Sequence, residues 1–248
     1  MKVLTKDHFK YILLFALILA IVYGYNDRAP KFVFQNWIVN FLFIYVFCLI
    51  SSFIHETTHI LTAYFKGCSL NLKFIQFKRY WISTRSYLNK IVKAGFIFPL
   101  IITFISNGLF YFPAISTYEV KEEKHLRLGR KFPRLSEWEL AQIAVSGPLA
   151  SILLAVIFKI FDFSLTQVSP VTINIWIAVL NILPLPLFDG YKVFIYSRLL
   201  FTITLIFIII LSFLLNKLAP LTSLGLSIVL ALVLFLIYLL YPILKIKK

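Results

Sequence analysis

Two imidazoles and a carboxylate crowd together in residues 53–62, FIHETTHILT, inside one of the most apolar parts of the chain. On a helix, His55 and His59 are four residues apart and share a face about one turn along, close enough to grip one metal ion. Glu56 follows His55 directly, where it can serve a metal-activated water as general base without being a ligand. An ionisable group at mid-membrane costs roughly 2.5–3.5 kcal/mol on insertion scales, so such a cluster must face a metal, water or polar partners. The plainer alternative is a hydrogen-bonding cluster that glues helices together.

Two histidines leave a tetrahedral zinc short of a third protein ligand and an open position. His8 and His125 lie in basic segments outside the apolar stretches. Asp189 is the better donor, because it ends the stretch 181–190, NILPLPLFDG, where Pro184 and Pro186 remove backbone donors and block a continuous helix. Unwound backbone at membrane depth survives only where it is buried in protein or lines a cavity. Gly190 permits a tight turn beside it. The plain reading of Asp189 alone is an interfacial carboxylate paired with Lys192. Glu137 and Glu139 border a later span and are alternative acids, but they have no His or Asn partner nearby.

The elements that must bring these residues together are membrane helices. Of the 248 residues, 60% are hydrophobic, and mean hydropathy is +0.90. Only 14% are charged against about 25% in ordinary globular domains, which excludes a soluble fold. Apolar runs cover about 10–25, 37–65, 94–115, 138–160, 170–188, 199–216 and 221–243. The net charge of +15 is spread through short segments between these runs, so it reads as a topology signal and not as a nucleic-acid surface.

Segment 94–115 carries Pro99, Asn107, Gly108 and Pro113, breakers that favour entry and exit on one side. Making it re-entrant leaves only Arg28, Lys31, Lys159 and Lys217 outside, with the rest of the 25 lysines and arginines inside. The expected fold is thus an all-α polytopic membrane protein of six transmembrane helices plus a re-entrant hairpin (94–115), with both termini cytoplasmic. His59 and Asp189 each lie near the C-terminal end of a span, so those spans must run parallel, with 138–160 returning between them. Seven full crossings would separate the ligands.

Residues 66–93 alternate roughly between apolar and polar and read as a short interfacial β-hairpin, or as a basic loop dipping its aromatics into headgroups. The N-terminal apolar run lacks a small-residue cleavage site and is expected to be a retained helix. Cys48 and Cys68 are not expected to form a bridge. The chain is expected to be a single membrane domain over 1–248, with an N-terminal helix in 1–36, a catalytic core in 37–192 and a C-terminal helix pair in 193–248.

At this point the sequence resembles the site-2 protease family of intramembrane zinc metalloproteases. That family pairs H-E-x-x-H on one membrane helix with N-x-x-P-x-x-x-x-D-G on a later one, matched here by His55-Glu56-Thr57-Thr58-His59 and by Asn181, Pro184, Asp189 and Gly190. Between them AVSGPLAS, with Gly147 and Pro148, is similar to the family's small-residue segment, and Ala63 and Gly67 also fall where the family often has Ala and Gly. The resemblance covers about 37–192. It departs at Thr58, Phe188 and Tyr191, none of them a ligand or the base, and it lacks an inserted PDZ-like domain.

The resemblance implies that His55, His59 and Asp189 bind zinc and that Glu56 activates water. It implies further that Asn181 helps hold the substrate carbonyl or oxyanion, and that the substrate is a transmembrane protein cut within the bilayer. Such a substrate must unwind first, and the 66–93 strand could receive the extended segment by strand pairing. From His55 to Lys66 is roughly 16 Å of helix, which puts the site nearer the cytoplasmic surface. The competing reading is a catalytically inactive metal-binding membrane protein or a transporter, although the chain has no pair of matching interrupted helices.

Overall fold

The computed structural model describes residues 4–29, 31–79, 87–123, 127, 134–163 and 167–246. His125 and parts of the 66–93 and 116–137 connections lie outside the described residues. The described residues are mostly helical. Among the described residues, five helices are long and apolar enough to cross a membrane: α1 (Lys6–Gly24), α2 (Phe34–Phe65), α4 (Glu137–Ile160), α7 (Arg198–Leu215) and α8 (Pro220–Ile246). Two shorter apolar helices, α3 (Ala94–Ile105) and α5 (Pro170–Ile182), and the eight-residue α6 (Asp189–Tyr196) are the other helices among the described residues. Large apolar side chains face outward along α2 (Val39, Leu42, Phe43, Val46) and α8 (Val229, Leu232, Val233, Leu236). Continuous apolar faces of this kind suit hydrocarbon and not water.

Local chemistry sets the helix starts. Thr5 and Ser136 each form a reciprocal cap, the first with His8 and the second with Glu139. Ser169 caps α5 with Pro170 in its first turn, and Ser197 caps α7.

The span expected over 170–188 is not one helix. α5 stops after 13 residues, Leu183 is extended, Leu187 takes φ 76°, and the chain restarts as α6. Pro184 and Pro186 cannot donate the backbone hydrogen bonds that a continuing helix needs.

Segment 94–115 doubles back on itself. Its two ends meet on one residue: Ile75 N–H donates to Ile115 O at 3.0 Å, and Gly95 N–H donates to Ile75 O at 2.9 Å. Its tip turns at Asn107 and Gly108, both at positive φ, and Asn26 Nδ2 donates to Asn107 O at 2.9 Å beyond the end of α1. The two limbs thus run alongside α1 and return.

The β structure differs from an isolated hairpin within 66–93. β2 (Phe77–Arg79) and β3 (Tyr87–Val92) do pair there, but the longer β1 (Cys68–Phe74) pairs antiparallel with β4 (Ser116–Glu122), from the other side of α3. The doubling-back of 94–115 is what delivers β4 to β1. Backbone bonds between Ile75 and Ile115, and between Glu123 and Gly67, fix the alternation. The peptide groups of Leu70 and Tyr118 therefore point to the two outer edges. Leu70 O meets His8 Nε2 at 2.8 Å on the β1 edge, and Tyr118 O accepts from Lys192 Nζ at 3.4 Å on the β4 edge.

α4 packs between α2 and α5 and runs antiparallel to both. At one level Asn174 Nδ2 donates to Ser51 Oγ at 2.9 Å, and further along the same two helices meet again where Asn181 shares a cavity with His55 and Glu56. α2 and α5 are thus parallel. Arg127 ties the end of α2 to the start of α4, donating to Lys66 O at 2.6 Å and to Glu139 Oε2 at 3.1 Å. The sheet, the start of α1 and α6 share that end of the bundle, whereas Arg28, Lys31, Lys159 and Lys217 belong to the opposite end.

Candidate metal centre

The helical repeat puts Ser52, His55, Glu56 and His59 on one stripe of α2, at i, i+3, i+4 and i+7. That stripe faces α4 and the α5–α6 break. His55, Glu56, His59 and Asp189 are 4%, 3%, 1% and 5% exposed, so their mutual arrangement is unscreened by solvent.

His55 Nε2 lies 3.3 Å from His59 Nε2, and Asp189 Oδ2 lies 3.2 Å from His59 Nε2 and 3.5 Å from His55 Nε2. Donor atoms about 2.0–2.1 Å from a tetrahedral zinc stand about 3.3–3.4 Å from one another, so the observed triangle has the size of three corners of that tetrahedron. The group could hold a metal ion.

α4 orients the rings. His59 Nδ1 is 2.7 Å from Ile143 O, an atom that can only accept, so the ring proton sits on Nδ1 and the Nε2 lone pair faces the triangle. His55 Nδ1 is 2.8 Å from Ser151 Oγ. Two imidazole lone pairs and a carboxylate oxygen so close together repel one another unless a cation or a proton sits among them. Gly147 allows the close approach: a Cβ there would stand 2.1 Å from His59 Nε2.

Asp189 arrives from the break between α5 and α6, and the turn is tight. A Cβ on Gly190 would lie 2.0 Å from Ile182 O. Lys192, one turn into α6, places Nζ 3.7 Å from Asp189 Oδ1 and donates to Thr117 Oγ1 at 3.1 Å. The lysine pairing and the metal-facing geometry thus coexist, one on each carboxylate oxygen. Lys192 Nζ also sits 3.4 Å from the centre of the Tyr118 ring, which packs against His59 with centroids 4.7 Å apart.

Glu56 is not one of the three converging ligands. It lines a cavity of about 20 Å³ together with Ser52, His55, Ser116 and Asn181, closed by Pro113 and Ile115. A volume above about 10–15 Å³ admits one water. Asn181 reaches this cavity while its Nδ2 donates to Ile177 O at 3.0 Å. The alternative acid Glu139 is committed elsewhere, to Ser136 N–H at 3.0 Å and to Arg127. His8 is held at Leu70, and Cys48 and Cys68 are free thiols.

The sequence reading missed Ser151, the Ile143 carbonyl, Ser116 and the contact of Lys192 with β4. Ser151 carried a weak signal, lying one helical turn beyond Gly147. The others depend on strand and helix placement that has no local signature. Comparison with protein-family models, with curated proteins and with solved structures finds no match to this chain.

Proposed function

We propose that the chain is an intramembrane zinc metalloprotease of the site-2 type, hydrolysing a peptide bond within or near a transmembrane segment of a membrane protein. The observation that carries this reading is the division of labour among four buried groups. Three converge as ligands, and Glu56 stands outside the ligand set on a water-sized cavity. A structural metal site has no use for that fourth, uncoordinated acid.

Zinc held by His55, His59 and Asp189 would polarise the substrate carbonyl and lower the pKa of an attacking water toward about 7. Glu56 takes one proton from that water as its oxygen bonds to the carbonyl carbon. The C–N bond then breaks, and Glu56 passes the proton to the departing amine. Asn181 lies where it can donate to the oxygen that gains charge.

The substrate enters as extended chain, pairing with the outer edge of β4 at Ser116, Val120 and, once Lys192 Nζ releases its carbonyl, Tyr118. A cavity of about 20 Å³ takes a water and not a peptide, so Pro113, Ile115 and Ser116 must withdraw first. The 94–115 hairpin is in this reading the gate. The chain crosses the cell membrane six times, with α5 and α6 forming one broken crossing, 94–115 re-entrant from the cytoplasmic side and both termini cytoplasmic.

The test is metal content and cleavage in detergent, using a single-span model substrate and comparing wild type with Glu56→Gln. Bound zinc with turnover only in wild type supports the reading. Zinc without any turnover assigns a metal-binding membrane protein, and a wild type without zinc refutes the site.

A further inference from the structure

Serine and threonine hydroxyls within membrane helices ordinarily donate to the carbonyl four residues back, as Ser51 does to Phe47, Thr62 to Thr58, Thr103 to Pro99 and Ser212 to Ile208. Ser52 does not. Its Oγ is buried, the residue is 4% exposed, and the hydroxyl has no hydrogen-bond partner. A hydroxyl left unpaired in a protein interior costs about 1–3 kcal/mol, which local back-bonding would recover. Ser52 is instead a wall of the cavity that holds His55, Glu56 and Asn181.

We propose that Ser52 is a further catalytic residue, donating its hydroxyl hydrogen to the scissile carbonyl oxygen as that oxygen becomes negative. This rests on the protease reading and deepens it. The cavity is chemically divided. An ionised Glu56 can only accept hydrogen bonds, which suits the water it deprotonates, whereas Ser52, one turn away on the same face of α2, and Asn181 from α5 bring donors to the same cavity. Ser52 and Glu56 stand one turn apart on α2, with about 5–6 Å between Cβ atoms, so the attacking and the carbonyl oxygens fit between them. One of the two amide hydrogens of Asn181 is spent on Ile177 O and the other remains for the same oxygen, so Ser52, whose hydroxyl has no partner, adds a second donor there.

The experiment compares wild type, Ser52→Ala and Ser52→Thr in detergent for kcat, KM, bound zinc, melting temperature and affinity for a phosphinic peptide analogue of the substrate. Ser52→Ala is expected to lower kcat about 10²-fold, as does loss of one oxyanion donor elsewhere. KM, zinc and melting temperature stay at wild-type values, and phosphinic peptide affinity falls with kcat. Ser52→Thr, which keeps the hydroxyl, recovers most of the rate. Wild-type turnover in Ser52→Ala overturns the inference and leaves the protease reading standing. So does a joint loss of zinc and melting temperature, which would make Ser52 a packing residue. A wild type that binds zinc but cleaves nothing overturns both.

Discussion

Gly147 and His59 touch so closely that a single methyl group cannot be placed between them: a Cβ on Gly147 would overlap the imidazole, 2.1 Å from Nε2. The backbone of α4 is therefore one wall of the candidate metal centre. Gly147→Ala is expected to displace the ring and lower metal affinity about 10–100-fold, the range seen when a ligand loses its orientation. Chelator competition on the purified variant measures it, and wild-type affinity would show that α4 can withdraw without cost.

Ser151 makes the corresponding contact behind His55, with Oγ 2.8 Å from Nδ1. Ser151→Ala is expected to weaken metal binding about 10-fold while leaving α4 folded, because the change removes a single oxygen and keeps the Cβ in place. The same competition titration, set beside a helical circular dichroism spectrum, separates the two effects.

Glu56 lies outside the ligand triangle, so removing its charge should leave the metal in place. Glu56→Gln is expected to retain wild-type zinc by elemental analysis and to lose at least about 10²-fold in kcat, the usual contribution of a positioned base. His59→Ala and Asp189→Ala should lose the metal itself.

Arg127 joins helix ends that are far apart in sequence, and its side chain is 2% exposed against 18% for its partner Glu139. Arg127→Met removes the bonds to Lys66 O, Arg134 O and Glu139. A destabilisation of about 3 kcal/mol is expected, as for a mostly buried pair broken on one side. Denaturant titration in mixed micelles reads it directly.

Lys31 and Lys121 are both exposed and sit at opposite ends of the bundle. After replacement of Cys48 and Cys68, Lys31→Cys is expected to react with an impermeant maleimide added outside intact cells. Lys121→Cys should react only after permeabilisation. Reaction of Lys121→Cys from outside would mean that 94–115 crosses the membrane completely.

The sequence by itself determined what local periodicity controls. Four-residue spacing on an apolar helix forces His55, Glu56 and His59 onto one stripe, since 3.6 residues per turn admits no other arrangement. Pro184 and Pro186 end α5 because proline cannot donate, and Asn107 with Gly108 turns the 94–115 segment because both tolerate positive φ. The tertiary structure decided what depends on contacts between distant segments. β1 chose β4 over its neighbours in sequence, a pairing available only once α3 had folded back. The His59 tautomer is set by a carbonyl 84 residues away, and Asp189 reaches His59 across a sequence separation of 130 residues. Ser52 kept a free hydroxyl because a cavity formed beside it, while its neighbour Ser51 bonded to its own helix. These outcomes follow from which surfaces the packed helices present to one another, and no short window of residues contains that information.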